Sequence, residues 1–328
     1  MQSAAERPEP TVQRKAAIVT GAATDHAGKV EVRPIANFDL NRTIFQTLEG
    51  GLTRSIMAAR VGKEVVWKPS PGSSFSDAYT ELRDGETLPD IRPSLLTFMV
   101  DECDFDVEHA DGSFLDHLYF CFEYSAKHYP DHSAIVMLTH SILGTGTNTF
   151  AMTADKIPAL REHLTDFEWR HIEAFPSVLR LLYDLPLREE LRANLHRLDE
   201  LSSISMRRVI DNEPIELSAD DFWIQMNYQL IHLLDFLPVA NWRHHQNETS
   251  FIVFRDLYDL LERAGKRDAK LEYTEGSGAS GIQGERRTMT GVIADLLPVG
   301  LSERMAARSV RRFSERIGHD ISYALTWK

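Results

Sequence analysis

Residues 100–150 read VDECDFDVEHADGSFLDHLYFCFEYSAKHYPDHSAIVMLTHSILGTGTNTF. This stretch divides into an irregular acidic lead-in, an amphipathic helix beginning near Ser113, a Tyr129-Pro130-Asp131 turn, an apolar helix over 133–144, and a Gly/Thr loop. On the first helix, three- and four-residue steps place His117, Cys121 and Tyr124 on one face, among Phe114, Leu118 and Phe122. On the second, His140 ends an almost unbroken apolar run just before Gly144. An imidazole withdrawn from water must recover its hydrogen bonds inside the protein. One satisfied bond in the core accounts for either histidine alone, and a shared site accounts for both.

A third histidine lies farther along, in ADDFWIQMNYQLIHLLDFLP (219–238). Ser218 supplies the cap, with Asp221 at the third position, and the pattern predicts a helix over 219–237. Trp223, Ile224, Leu230, Leu233 and Leu234 make most of its surface apolar, which predicts burial. Gln225, Tyr228, Gln229, His232 and Asp235 nevertheless recur at three- and four-residue steps as one polar stripe. A polar stripe inside an apolar helix implies a polar cavity or a network of partners. Asp235 stands one turn beyond His232, where a carboxylate orients an imidazole. His163 and His171 are expected on exposed helix faces, and His109, His244 and His245 in polar segments.

Outward from these segments the pattern is mostly α. Residues 1–14 read as a disordered polar tail, and 15–93 as a hairpin across Asp25–Gly28 followed by a helical segment from Asn41 and a Pro/Ser-rich loop. Thr20-Gly21 after an apolar run resembles the opening of a dinucleotide fold. The further glycines such a turn needs are replaced by Asp25 and Ala27, so that reading fails. A helical core is expected over 94–265, with helices at 153–165, 167–183, 187–201 and 250–265. EGSGASGIQGERR (275–287) reads as a flexible linker and 288–328 as a helical extension. Arg304, Arg308, Arg311, Arg312 and Arg316 give that extension a solvated or salt-bridged face.

With 36 Lys and Arg against 49 Asp and Glu, the net charge of −13 argues against nucleic acid and anionic membrane as partners. Two cysteines without metal spacing suit reduced thiols in a cytoplasmic protein. Neither a secretory signal nor a membrane span is expected. Assembly into a homo-oligomer stays open.

The order of a histidine in one helix, a second ending the next, and a polar residue deep in a later helix resembles the HD-domain superfamily. VDECDFDVEHADGSFLDHLYFCFE is similar to the first ligand helix of the myo-inositol oxygenases, with an acidic run, a Ser-Phe pair, and His117 six residues before Glu123. SFLDHL…LTHSILGT resembles a bacterial HD-like family with His-Ser in place of His-Asp. The resemblance covers roughly residues 94–240 and implies an HD-like helical bundle. In dinuclear members a carboxylate stands where this chain has Ser141, and the terminal aspartate position is taken by His232. The resemblance therefore implies one divalent transition metal, iron or zinc, on His117, His140 and His232. Around it, His140, Asp235 and Tyr228 are the expected catalytic groups, and Tyr124, Gln229, Ser141 and Thr145 the expected contacts to an organic small molecule. Two alternatives stay open: a metal-free acid–base enzyme using His140, and a binding protein on a degenerate HD-like scaffold.

Overall fold

The computed structural model describes residues 17–18, 89–103, 113–235, 246–271, 292–293 and 295–328. The expected tail, the Asp25–Gly28 hairpin, the helix from Asn41, the 275–287 linker, His109, His244 and His245 lie outside the described residues. In chain order the elements are β1 (Ala17–Ile18), α1 (Pro93–Cys103), α2 (Ser113–His128), α3 (Ile135–Thr139), β2 (Thr149–Phe150), α4 (Ile157–Arg161), α5 (Asp166–Asp184), α6 (Pro186–Ala193), β3 (Leu201–Arg207), β4 (Pro214–Ser218), α7 (Ala219–Asp235), α8 (Thr249–Ala264), α9 (Val299–Ile317) and β5 (Tyr323–Trp327). The described chain is mostly helical, with a small three-stranded antiparallel sheet in the order β4-β3-β5.

Helix α5 is the central support, packing against α3, α6, α7 and α9. Its start is secured by a capping box. The Thr165 hydroxyl accepts from the Glu168 amide at 3.2 Å, and the Glu168 carboxylate accepts from the Thr165 amide at 2.8 Å. Arg92 and Ser133 also donate to Glu168, tying α1 and the turn before α3 to the same corner. Helix α7 lies between α2 and α5 and begins where the Ser218 hydroxyl accepts from the Asp221 amide. Gly265, at a φ of 62°, ends α8 in the left-handed conformation that glycine adopts without strain.

Three departures from the periodicity have physical causes. The helix expected over 133–144 stops at Thr139, and His140 caps it. The Thr139 hydroxyl bonds back to the Ile135 carbonyl, and tight turns follow from Ile142 to Thr139 and from Gly144 to Ser141. Gly144 is obligatory there: its φ is 131°, and a Cβ would come within 2.9 Å of the Phe150 ring. The helices expected at 153–165 and 187–201 are each shorter, joined to 3-10 turns at Ala154–Lys156 and Leu195–Glu200. Finally, the C-terminal region is more than a helical extension. Strand β5 pairs antiparallel with β3, from Leu201 opposite Trp327 to Met206 opposite Tyr323, so the chain's end completes the sheet. The strand Ala17–Ile18 pairs with Thr149–Phe150, directly after the loop that follows His140.

Candidate metal centre

Helices α2, α3 and α7 bring His117, His140 and His232 together. Their nitrogens lie within 4.8 Å of one another and all three side chains are buried. The rings form a nearly equilateral triangle, with centroids 5.0 Å (117–140), 5.0 Å (117–232) and 4.9 Å (140–232) apart. Each pair meets edge to face, at 74–85° between planes. Phe175 of α5 covers one side, 4.7 Å from His140 and 5.3 Å from His232.

Hydrogen bonds on the outer edges fix how two of these rings are presented. His140 Nδ1 donates to the Met137 carbonyl at 2.7 Å, which leaves Nε2 as its acceptor nitrogen. His117 Nδ1 faces Asp235 Oδ2 at 2.7 Å, an ionic hydrogen bond that likewise leaves Nε2 for the interior. The two Nε2 atoms then stand 3.2 Å apart. Two lone pairs at that separation repel unless a cation or a proton lies between them. Two nitrogens at 2.0–2.1 Å from one tetrahedral ion would be roughly 3.3–3.4 Å apart, so the spacing fits a shared metal. A transition metal also needs neutral imidazoles. Burial, then the neighbouring His117 ring, pushes His140 down to about 3, against its bond to Met137. Burial, then His140 and His117, holds His232 well below the ordinary histidine range.

Cys121 lies one turn beyond His117, its sulfur 3.7 Å from Nδ1 and 3.9 Å from Nε2. Burial, then the charge of Asp235, pushes its thiol well up, so it packs against the cluster as a neutral group. The expected polar stripe on α7 is buried throughout. Asp235 is one of its members, but the ring it orients is His117 on the opposite helix rather than His232 one turn back.

The other expected site residues divide. Ser141 is buried directly after His140, its hydroxyl without a hydrogen-bond partner. Gln229 donates from Nε2 to the Phe175 carbonyl at 3.0 Å, leaving Oε1 without a partner. Tyr228 commits its hydroxyl to the Ser133 carbonyl at 2.9 Å, with its ring against Tyr129 and His171. Tyr124 is half-buried, stacked 4.1 Å from His128. The Thr145 hydroxyl faces Thr147, and its carbonyl accepts from Arg180.

Two residues escaped the periodicity. His171, expected on an exposed face, is fully buried and hydrogen-bonded to Gln225 at 3.1 Å. Phe167, His171 and Phe175 recur at four-residue steps, a signal of one inward face. Arg180 is also fully buried, and its position amid Val178, Leu179, Leu181 and Leu182 was the available sign. Among the described residues, no helix is long and apolar enough to cross a membrane. The chain matches no protein-family profile, no curated protein and no solved structure.

Proposed function

We propose that the chain is an HD-like helical enzyme acting on an organic small molecule through one divalent transition metal held by His117, His140 and His232. The observation that carries this reading is the 3.2 Å approach of two buried Nε2 atoms whose other nitrogens are already committed to Met137 and Asp235. Three neutral ligands leave the ion its full 2+ charge, which supplies Lewis acidity toward a bound water or a substrate oxygen. The chain's own groups do the rest. Asp235 holds the His117 ring in its tautomer, the Met137 carbonyl does the same for His140, and Phe175 shields one side from water. Ser141, a neutral hydroxyl beside His140, favours one ion over two, since no carboxylate stands there to bridge a pair.

A second reading is favoured by the same distance. A proton between the two Nε2 atoms would turn Asp235, His117 and His140 into a hydrogen-bonded acid–base chain, with Asp235 balancing the charge on His117. Elemental analysis of the full-length protein separates the two. The metal reading expects about one transition-metal equivalent per chain, or uptake of one equivalent of zinc, iron(II), manganese or cobalt. It also expects His140→Ala to abolish that uptake in a protein with an unchanged circular-dichroism spectrum. No metal as purified and no uptake of any of the four ions would overturn it in favour of the acid–base chain.

A further inference from the structure

The two edges of the β4-β3-β5 sheet are finished differently. The Arg208 amide donates to the Glu213 carbonyl and the Lys328 amide to the Glu200 carbonyl, each at 2.8 Å. Backbone direction alternates along a strand. β4 therefore turns Pro214 and Glu216 away from β3, and β5 turns Tyr323, Leu325 and Trp327 away. β4 is blunted by this arrangement: Pro214 has no N–H to offer on the open side, and the exposed Glu216 carries a charge. β5 has neither device. From Ser322 to Trp327 it holds no charge, no proline and no glycine, and the register shift with β3 falls on the β3 side, at Ser202. Among the described residues, no backbone bond reaches Tyr323, Leu325 or Trp327 from the open side.

The apolar face of β5 is also incomplete. Ile321, Tyr323, Leu325 and Trp327 alternate with exposed Ser322, Ala324, Thr326 and Lys328 and pack on the core under the sheet, yet all four stay half-buried. Their counterparts on the inner strands, Ile204, Met206, Ile215 and Leu217, are at most 7% exposed. An edge with open amides and a half-covered apolar row is a template for one more strand.

A second β5 fits that template. An antiparallel pair about a two-fold axis presents the same residues from both sides. Centred on Leu325, it sets Leu325 opposite Leu325 and Tyr323 opposite Trp327, engaging all three outward residues, with each pair exchanging two hydrogen bonds. The two half-covered rows then lie side by side on one face. A chain of net charge −13 repels its copies in general, but along this edge no charge meets its like. Lys328 comes opposite Ser322 of the second copy, whose amide donates to the Asp320 carboxylate at 2.9 Å, so each end matches a cation with an anion. We propose that β5 is a dimerisation edge, and that two copies of the chain join there into one continuous sheet in the order β4-β3-β5-β5-β3-β4.

Sedimentation equilibrium of the full chain is the test, and the unaltered protein is expected to reach twice the chain mass as its concentration rises. Position 324 of one copy meets position 326 of the other, and both side chains are exposed in the single chain. Ala324→Lys combined with Thr326→Lys therefore sets like charges across the pair and is expected to weaken the dimer about tenfold. Ala324→Glu combined with Thr326→Glu should do the same, and an equimolar mixture of the two variants should restore dimer. Hydrogen exchange supplies a second readout. The Tyr323, Leu325 and Trp327 amides should be protected in the unaltered protein and exposed in either variant, while the Arg208 amide, bonded within each chain, stays protected and shows the sheet intact. A chain that is monomeric at every concentration, a dimer equally tight in both variants, or a mixture that stays monomeric overturns the proposal. So does a monomeric chain that binds a different protein along β5.

Discussion

Arg180 and His117 are both polar groups buried in the same helical core, and their surroundings follow opposite rules. Arg180 is fully buried, and among the described residues its partners are all neutral. Nε and Nη2 donate to the Thr145 carbonyl, Nη2 also to Asn148 Oδ1 at 2.7 Å, and Nη1 to the Ser314 hydroxyl at 3.0 Å. The chain of bonds continues outward. Ser314 faces His319 Nδ1 at 3.2 Å, and His319 Nε2 donates to the Arg207 carbonyl at 3.1 Å. Each guanidinium nitrogen meets an acceptor, and the result ties the loop after His140 to α9 and the sheet. Around His117 the outer bonds, to Asp235 and to Met137, are equally good, and they hold the two inner Nε2 atoms 3.2 Å apart. A polar cluster that is complete in itself serves the fold. One that gathers three buried imidazoles within 4.8 Å of one another is the cluster for which a metal is proposed above.

The contrast breaks most sharply at Arg180. Arg180→Met removes the donors from Thr145, Asn148 and Ser314 while roughly keeping volume, and at about 1–3 kcal/mol for each buried acceptor stranded the loss should be on the order of 3–5 kcal/mol. Burial holds the guanidinium down to about 9, still charged at neutral pH, so the cost of keeping it desolvated offsets part of that loss. Urea unfolding measures the difference, and a loss below about 1 kcal/mol would mean the Arg180 cluster is not the structural anchor described here. At Asp235 the expectation reverses. Asp235→Asn weakens the bond that orients His117, so the proposed metal centre expects metal affinity to fall about 10–100-fold while folding stability stays within about 1 kcal/mol. Competition with a chromophoric chelator reads the first and urea unfolding the second. A stability loss as large as that at Arg180 would make the His117–Asp235 pair structural and remove the distinction.

Much of this contrast was legible before the fold was known, but only its helical part. His117, His140 and His232 stood out because each interrupts an apolar helix, and the stripe through Gln225 and Gln229 because it repeats with the helix period. Asp235 was legible as a member of the stripe. Its partner was not, since spacing along one helix favours the neighbour one turn away, and the choice of His117 is made by the packing of α2 on α7. Arg180 and His171 were missed for a related reason: a single polar residue in an amphipathic helix is assigned outward until the opposing element is known. The sheet was missed because in LSSISMR an irregularity between Leu201 and Ser203 puts Leu201 out of phase with Ile204 and Met206, which leaves only two apolar residues in alternation. Its partners lie locally at Pro214–Ser218 and at the far end of the chain. A one-strand pattern is too short to register when half of its pairing is decided so much later in the sequence.

An effect confined to acid concerns His319, where the satisfied cluster meets titration. Burial first, then the Arg180 charge, pushes His319 down to about 3, against the Arg207 carbonyl and Asp320, which favour its protonated form. The unfolded chain takes up a proton at this residue near the ordinary histidine value of 6.5, and the folded chain refuses it until about 3. Between those values the unfolded state binds more protons. Stability is therefore fully present above about pH 6.5 and is lost as pH falls, at up to about 1.4 kcal/mol per pH unit from this one group. His319→Gln keeps an amide that can donate toward Arg207 and accept from Ser314 but has nothing to titrate. The variant's stability should therefore fall less steeply between pH 6 and pH 4 than that of the unaltered protein, by about that amount per unit, with the two curves parallel above pH 7. Urea midpoints collected across that range decide it. Parallel curves throughout would show that His319 accepts its proton in the folded state, which would require Ser314 to turn away and the Arg180 cluster to open in acid.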